Sequence, residues 1–256
     1  MKEKTIPEAP MGLKTSDLEE IYPHGDVLMR QVAERSPTIL LAFSCGKDSL
    51  ATWLELRRFG GFERIIPFYR YLIPDLDFVE KSISRYEEIF ATRIYRLPHP
   101  SLYRMLNNLV FQPPENCAVI ERYNLPNFDY EDLTRELLKT LKLPATTYTA
   151  NGVRVCDSPI RRIALQKYGP SNTRQQSFMP CWNWNKARVY SEIERAGIKL
   201  PIDYELFGRS FDGIDYRFLR PIRDCFPADF QKILKWFPLA ELELLRREYY
   251  AGHKAV

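Results

Sequence analysis

Three absences narrow the reading of this sequence. None of its five cysteines (Cys45, Cys117, Cys156, Cys181 and Cys225) forms a Cys-x-x-Cys pair. An odd number of widely spaced cysteines argues against a disulfide framework or a zinc ribbon, and for a reducing compartment. The tight local spacing of ferredoxin-like ligands is missing too, so no iron–sulfur cluster is expected. Histidine is scarce: His24, His99 and His253 show no metal-ligand spacing, and each reads as incidental. No stretch approaches the ~20 apolar residues that a membrane span needs. The segment Met1–Lys14 carries charges at Lys2, Glu3 and Lys4 and lacks the apolar run of a signal peptide. The expectation is a cytoplasmic protein with no membrane partner. The net charge of +4 is mild. It suits a site for anions and does not by itself argue for nucleic acid, which is not favoured as a partner.

What is present is ordinary globular material: 45% hydrophobic and 27% charged residues in 256, enough for one α/β domain with a small appendage. Residues 1–14 read as a loose arm. A helix is expected over Gly25–Arg35. Thr38–Phe43 (TILLAF) is a continuous apolar run, as in a strand buried on both faces of a parallel sheet. It leads into Ser44-Cys45-Gly46-Lys47-Asp48-Ser49 and a helix bearing Leu50, Trp53, Leu54 and Leu56, stopped at Gly60-Gly61.

Further along, the pattern predicts a strand at Arg64–Ile73, a helix through Val79, Ile83, Tyr86 and Phe90, and a strand at Arg93–Leu97. Ser101–Leu109 reads as a helix capped by its own serine. Phe111–Phe128, with three prolines, reads as a loop or insertion. Tyr130, Leu133, Leu137 and Leu141 mark a helix, and Ala145–Ala150 a strand. Beyond Ser158 helices are expected at Pro159–Lys167, Lys186–Ala196, Ala228–Phe237 and Leu239–Tyr249. The alternation implies a doubly wound, mostly parallel sheet with a C-terminal helical extension. We divide the chain into an arm (1–24), a nucleotide-binding α/β core (25–170) and a helical extension completing the site (171–256).

A buried strand that ends at Ser44 and restarts as a helix near Ser49 aims its loop amides and the helix's first turn outward, at an anion. Gly46 lets backbone approach phosphate. Lys47 adds a charge, and Ser44 and Ser49 can donate hydroxyl hydrogen bonds. Asp48 has the wrong sign to touch phosphate, so its role is to hold magnesium. The competing reading is a plain strand–turn–helix with Asp48 or Ser49 as N-cap. The Walker A spacing is absent. A second basic group, Arg154, Arg161 and Arg162, follows Gly152, with Asp157 and Ser158 placed to cap the next helix; its guanidiniums suit phosphate or sulfate, or else form a solvated face. Arg209, Arg217, Arg220 and Arg223, interleaved with Phe211, Tyr216 and Phe218, read as a structural loop with a solvated basic face. Trp182 and Trp184 read as packing residues, with stacking against adenine as the alternative. Cys45, in an anion-attracting loop, is expected to favour its thiolate.

The hexapeptide resembles the signature of the PP-loop superfamily of adenine-nucleotide α-hydrolases, Ser-Gly-Gly-x-Asp-Ser, with Cys45 at the first glycine. Gly152–Arg161 (GVRVCDSPIR) is similar to the Gly-x-Arg-x-x-x-Ser-x-x-Arg segment of the phosphoadenylyl-sulfate (PAPS) reductase group. Pro180–Tyr190 (PCWNWNKARVY) looks like that group's Pro-x-x-x-Trp-x-x-x-x-Val stretch, and Leu200–Ser210 faintly echoes a third region. The group's Asp-Thr-Gly segment, its paired cysteines and its C-terminal nucleophilic cysteine are absent, and thiolate attack on sulfur needs that last group.

The resemblance implies a Rossmann-like core and a site in which Ser44, Cys45, Gly46, Lys47, Ser49, Gly152, Arg154, Ser158 and Arg161 bind the nucleotide. Lys47, Asp48 and Arg161 would be catalytic, with Asp48 also the magnesium ligand. The implied reaction is cleavage of ATP to AMP and pyrophosphate to adenylate an acceptor, as a prelude to sulfur or nitrogen insertion. Alternatives are a PAPS or adenylyl-sulfate reductase or sulfurtransferase, and a non-catalytic nucleotide-binding regulator of a partner protein. The acceptor or sulfur carrier is unspecified, and self-association is left open.

Overall fold

In a computed structural model, the described residues are 14–252, with side chains described for 14–250. The N-terminal arm up to residue 13 and His253 lie outside them. The elements run α1 (Thr15–Ile21), α2 (Gly25–Ala33), β1 (Thr38–Ala42), α3 (Lys47–Phe59), β2 (Arg64–Tyr71), α4 (Asp77–Phe90) and β3 (Tyr95–Pro98). Next come α5 (Pro100–Asn107), α6 (Pro114–Tyr123), α7 (Tyr130–Thr140), β4 (Thr149–Ala150), α8 (Pro159–Tyr168), β5 (Ser171–Asn172) and β6 (Ser177–Phe178). The last are α9 (Lys186–Arg195), α10 (Ile202–Phe207), α11 (Tyr216–Cys225), α12 (Pro227–Trp236), a 3-10 turn at Pro238–Ala240 and α13 (Glu241–Gly252).

The sheet order is β3-β2-β1-β4-β6-β5. Strand β1 is parallel to β2 and to β4, β4 is parallel to β6, and the short β5 is antiparallel to its neighbour β6. Winding proceeds from β1 to β2 on one side and jumps to β4 on the other, which makes this a doubly wound sheet. The order reverses between β1 and β4, and open α/β sheets bind ligands at the carboxyl ends of the strands at that switch point.

Contacts group the chain into two units, each made of two stretches: Met1–Phe68 with Leu138–Lys199, and Tyr69–Leu137 with Leu200–Val256. The linear division at residues 24 and 170 remains a proposal beside this packing.

The first unit is organised by β1. Ile39, Leu40 and Leu41 are fully buried, as a strand covered on both faces requires. Burying each such side chain is worth about 1.5–3 kcal/mol relative to leaving it exposed. Helix α3 buries Leu50, Ala51, Trp53 and Leu56, packs against α9, and ends at Gly60, whose φ of 69° is the left-handed cap that glycine allows. Helix α1 was not foreseen; it buries Leu18, and Tyr22 beyond it meets the Trp182 ring edge-on.

The second unit is built on α4, whose Phe78, Val79, Ile83, Tyr86 and Phe90 are buried. Phe78 sits amid a ring cluster, stacked on Phe226 at 5.2 Å and edge-on to Phe211 at 5.7 Å. No residue at the start of α4 caps it with a side chain. Instead Asp229 of α12, 1% exposed, accepts from the amides of Asp77 (2.7 Å) and Phe78 (3.0 Å).

Several expectations are corrected here. Residues 114–123 form helix α6 rather than a loop, because Pro114 takes the first helical turn, where its missing N–H costs nothing. The basic stretch is helix α11, burying Phe218, Leu219 and Ile222. Helix α5 is capped by His99, whose Nδ1 accepts from the Ser101 amide at 3.0 Å, and not by Ser101.

Candidate functional site

The loop between β1 and α3 departs from an ordinary strand–turn–helix in two ways. Cys45 has φ of 61°, in the left-handed region where a Cβ costs roughly 1–2 kcal/mol; this is the position at which the PP-loop signature has glycine. No side chain caps α3 at Gly46, and Asp48 and Ser49 lie inside the helix rather than at its N-cap. The N-cap residue of α3 thus supplies no side-chain acceptor to the helix's first turn. Ser49 Oγ braces the loop, accepting from Ser44 N (3.1 Å) and donating to Gly46 O (3.0 Å). Ser44 Oγ lies 3.2 Å from Ser49 Oγ and accepts weakly from Gly46 N at 3.4 Å. Cys45 is 4% exposed.

The end of β4 arrives against this loop. A Cβ on Gly152 would stand 2.8 Å from the carbonyl carbon of Asp48 and 3.1 Å from Ser49 N. Only glycine permits that approach, and it sets Arg154 beside Asp48.

Five charges then alternate. Lys47 Nζ lies 2.6 Å from Asp48 Oδ2, and Arg154 Nη2 lies 2.9 Å from Asp48 Oδ1. The same Nη2 donates to Asp157 Oδ1 at 2.8 Å, and the Arg154 amide donates to Asp157 Oδ2, also at 2.8 Å. Arg161 Nη1 donates to Asp157 Oδ2 at 3.1 Å. Three cations against two carboxylates leave one positive charge. The Arg154 side chain is 4% exposed while that of Arg161 is 51% exposed, so the first is a buried hub and the second a tethered arm. Arg154 Nε and Nη1 are buried without a hydrogen-bond partner, and so is Asp48 Oδ1. The Arg154–Asp48 contact thus has Coulomb attraction without hydrogen-bond alignment. Buried donors of this kind are rare in folded proteins and call for an explanation.

Ser158 caps α8, accepting from Arg161 N at 3.2 Å. Asp157, read from sequence only as a capping candidate, is the bridge between the two arginines; its i−3 and i+4 spacing to Arg154 and Arg161 was the available signal. Cys156 is exposed and its thiol donates to Trp184 O at 3.2 Å. Burial pushes the Cys181 thiol well up, which keeps it protonated. Trp182 and Trp184 are buried; Trp182 Nε1 donates to Pro23 O, and Arg188 covers the Trp184 ring at 4.1 Å.

The basic residues of 209–223 are neutralised locally. Arg209 pairs with Asp212, Arg217 with Asp215, and Arg223 with Asp224 and Glu248. Arg220 lies 3.8 Å from Asp224.

Among the described residues no group of three or more His, Cys, Asp or Glu could hold a metal. Magnesium travelling with a nucleotide asks less, because phosphates and waters fill most of its coordination. Asp48 is the carboxylate at this loop, but Oδ1 faces Arg154 Nη2 at 2.9 Å and Oδ2 faces Lys47 Nζ at 2.6 Å, so it could take such an ion only by releasing one of the two cations. Among the described residues, no helix is long and apolar enough to cross a membrane.

No family model matches the sequence, and no curated protein matches it. Solved structures do resemble the fold. A phosphoadenylyl-sulfate (PAPS) reductase from Candida auris, in a phosphate complex, is 10% identical over 79% of this chain and 96% of its own, with a TM-score of 0.47. An NH3-dependent NAD synthetase from Campylobacter jejuni, with nitrate ion, is 11% identical over 93% and 96%, at 0.42. A predicted subunit of tRNA methyltransferase from Methanocaldococcus jannaschii is 15% identical over 77% and 87%, at 0.34.

Proposed function

We propose that the chain is an adenine-nucleotide enzyme that cleaves ATP between its α and β phosphates. An acceptor oxygen attacks the α-phosphorus, the bond to the bridging oxygen breaks, and pyrophosphate leaves with the electron pair. The acceptor's proton passes to solvent. The observation that carries this reading is Arg154, a buried guanidinium at the switch point with two donors that no protein group satisfies. An anion completes such a site, and the N-terminus of α3 beside it, begun at Gly46, is the kind of helix end at which phosphate binds.

In this reading the loop amides of Ser44–Ser49 and Lys47 stabilise charge building on the leaving pyrophosphate. Lys47 first has to leave the carboxylate of Asp48, 2.6 Å away. Ser44, Cys45, Gly46 and Ser49 shape the loop. Gly152 holds the β4 end close, and Ser158 fixes the start of α8. Arg161, exposed and hinged on Asp157, reaches toward the bound anion. Magnesium bound through Asp48 would neutralise phosphate charge there. Attack of a carrier's sulfur on the carbon bearing the adenylated oxygen, with the C–O bond breaking and AMP leaving, is a natural sequel to this chemistry.

The test is titration of the purified protein with ATP and magnesium, alongside Lys47→Ala and Asp48→Asn. Binding should weaken about ten-fold in the first, equivalent to about 1.4 kcal/mol, and pyrophosphate release should vanish in the second. A wild type that does not bind ATP, or binding indifferent to both changes, overturns the reading. Preference for adenosine 3′,5′-bisphosphate over ATP points to the sulfonucleotide alternative, and binding without turnover in wild type and Asp48→Asn alike points to the regulator.

A further inference from the structure

The second unit contains a cleft of about 280 Å³ with no part in the chemistry above. Its lining includes Phe78, Ser82 and Tyr86 of α4, Pro201 and Ile202 at the start of α10, and Phe226 between α11 and α12. Phe78, Ser82 and Tyr86 are buried, and Phe226 stacks on Phe78 at 5.2 Å with 19° between the rings. Phe226, the partly exposed ring of this stacked pair, is the apolar surface on which a flat group can rest.

At the lip stand Lys81 and Arg85, one helical turn apart on α4 and both exposed. Among the described residues neither makes an ion pair. Three of the carboxylates on this helix are held by other cations. Asp77 holds Lys232 at 2.6 Å, and Glu80 and Glu87 both hold Arg96. Glu88 shares a neighbouring groove with the two cations, together with Asp77 and Glu80. Lys81 and Arg85 thus carry two like charges one turn apart at the mouth of an aromatic cleft.

We infer that this cleft binds a small aromatic anion, its ring against Phe226 and its carboxylate or phosphate between Lys81 and Arg85. The volume, at the small end for ligand sites, admits one ring with its charged group. Apolar area without charge, or charge without apolar area, uses half of what the cleft presents.

The experiment is calorimetric titration with phenyl phosphate, inorganic phosphate and benzyl alcohol, performed on the wild type and on Lys47→Ala to separate this site from the phosphate loop. Phenyl phosphate should saturate one site that survives Lys47→Ala, at least ten-fold more tightly than either of the other probes. The double change Lys81→Gln with Arg85→Gln, at exposed positions, should weaken it at least ten-fold. Ile202→Trp should fill the cleft and abolish binding while the far-ultraviolet circular dichroism stays unchanged. No saturable binding to the Lys47→Ala protein overturns the inference. So does binding that ignores the Lys81 and Arg85 changes, or inorganic phosphate that binds as tightly as the phenyl ester.

Discussion

Two regions of this molecule are rich in arginine and carboxylate, and they use the same groups to opposite ends. Along α11 and the loop before it, the arginines of 209–223 are largely exposed, each beside a carboxylate close in sequence or on α13. Water screens such pairs, and they contribute little. At the β1–β4 switch, one arginine is sealed in and shared between two carboxylates from different parts of the chain, with two donors left over. Density of charge says little about a site; burial together with incomplete pairing says much more.

The sharpest way to break that contrast is Arg154→Ala. It strands Asp48 and Asp157 without their shared cation, and removing one partner of a buried ion pair typically costs 3–5 kcal/mol. Asp48 is a third exposed, which places the expected loss near the low end, about 3 kcal/mol. A urea midpoint well below that of the wild type is the readout. Arg217→Ala, on the exposed face, should leave the midpoint where it was. Equal shifts from the two substitutions would remove the distinction.

Gly152→Ala comes next. The new methyl meets main chain rather than a flexible side chain, so neither neighbour can yield cheaply. Overpacking of this kind costs about 1–3 kcal/mol; we expect about 2, with ATP binding weakened at least ten-fold because the first turn of α3 is pushed. Asp229→Ala sharpens the comparison from the other unit. This carboxylate is as buried as Arg154, but both its oxygens are used, by the amides that start α4. Its loss should cost about 1.5 kcal/mol of stability, as other lost caps do, and leave ATP binding unchanged. Weakened nucleotide binding in Asp229→Ala would mean that burial alone, without open donors, fails to separate support from site.

What could be read in the sequence follows the same divide between local and distant. The run at Thr38–Phe43, the loop after it and the glycine stop at Gly60 are local signals, and the structure forms them within a residue or two. Helix α6 was hidden because Pro113 and Pro114 look like breakers until one of them is recognised as a helix start. Helix α11 was hidden by its charge and by Pro221 within it; its apolar face is only Phe218, Leu219 and Ile222. Strands of two residues, such as β5 and β6, carry no period at all. At the site, the loop and the Gly152–Arg161 segment each stood out alone. Their junction did not, because Asp48 and Arg154 are distant in the chain and the contact depends on Gly152 fitting against an element formed elsewhere. Asp229 capping α4 is unreadable for the same reason.

The smallest effect concerns His99, which the sequence left without a role. Its Nδ1 accepts from Ser101 N at 3.0 Å and its Nε2 lies 3.2 Å from the Tyr130 hydroxyl. Burial holds its pKa below the usual histidine value, helped by the neighbouring charges of Arg70 and Arg104 and opposed by Asp212. A protonated Nδ1 can no longer accept, so the cap of α5 exists only in the neutral form. The folded state therefore prefers the neutral ring, and its contribution is complete above the unfolded pKa of about 6.5. It is lost as pH falls through the lower, folded value. His99→Asn keeps a capping acceptor and has nothing to titrate in this range. The wild type should thus lose stability relative to His99→Asn between about pH 7 and pH 5, by about 1 kcal/mol, the usual size of a cap. Denaturant midpoints of the two proteins measured at both ends of that window test this directly. A difference that stays constant, or that grows toward high pH, would show that the ring carries its proton in the folded state and that something other than His99 starts α5.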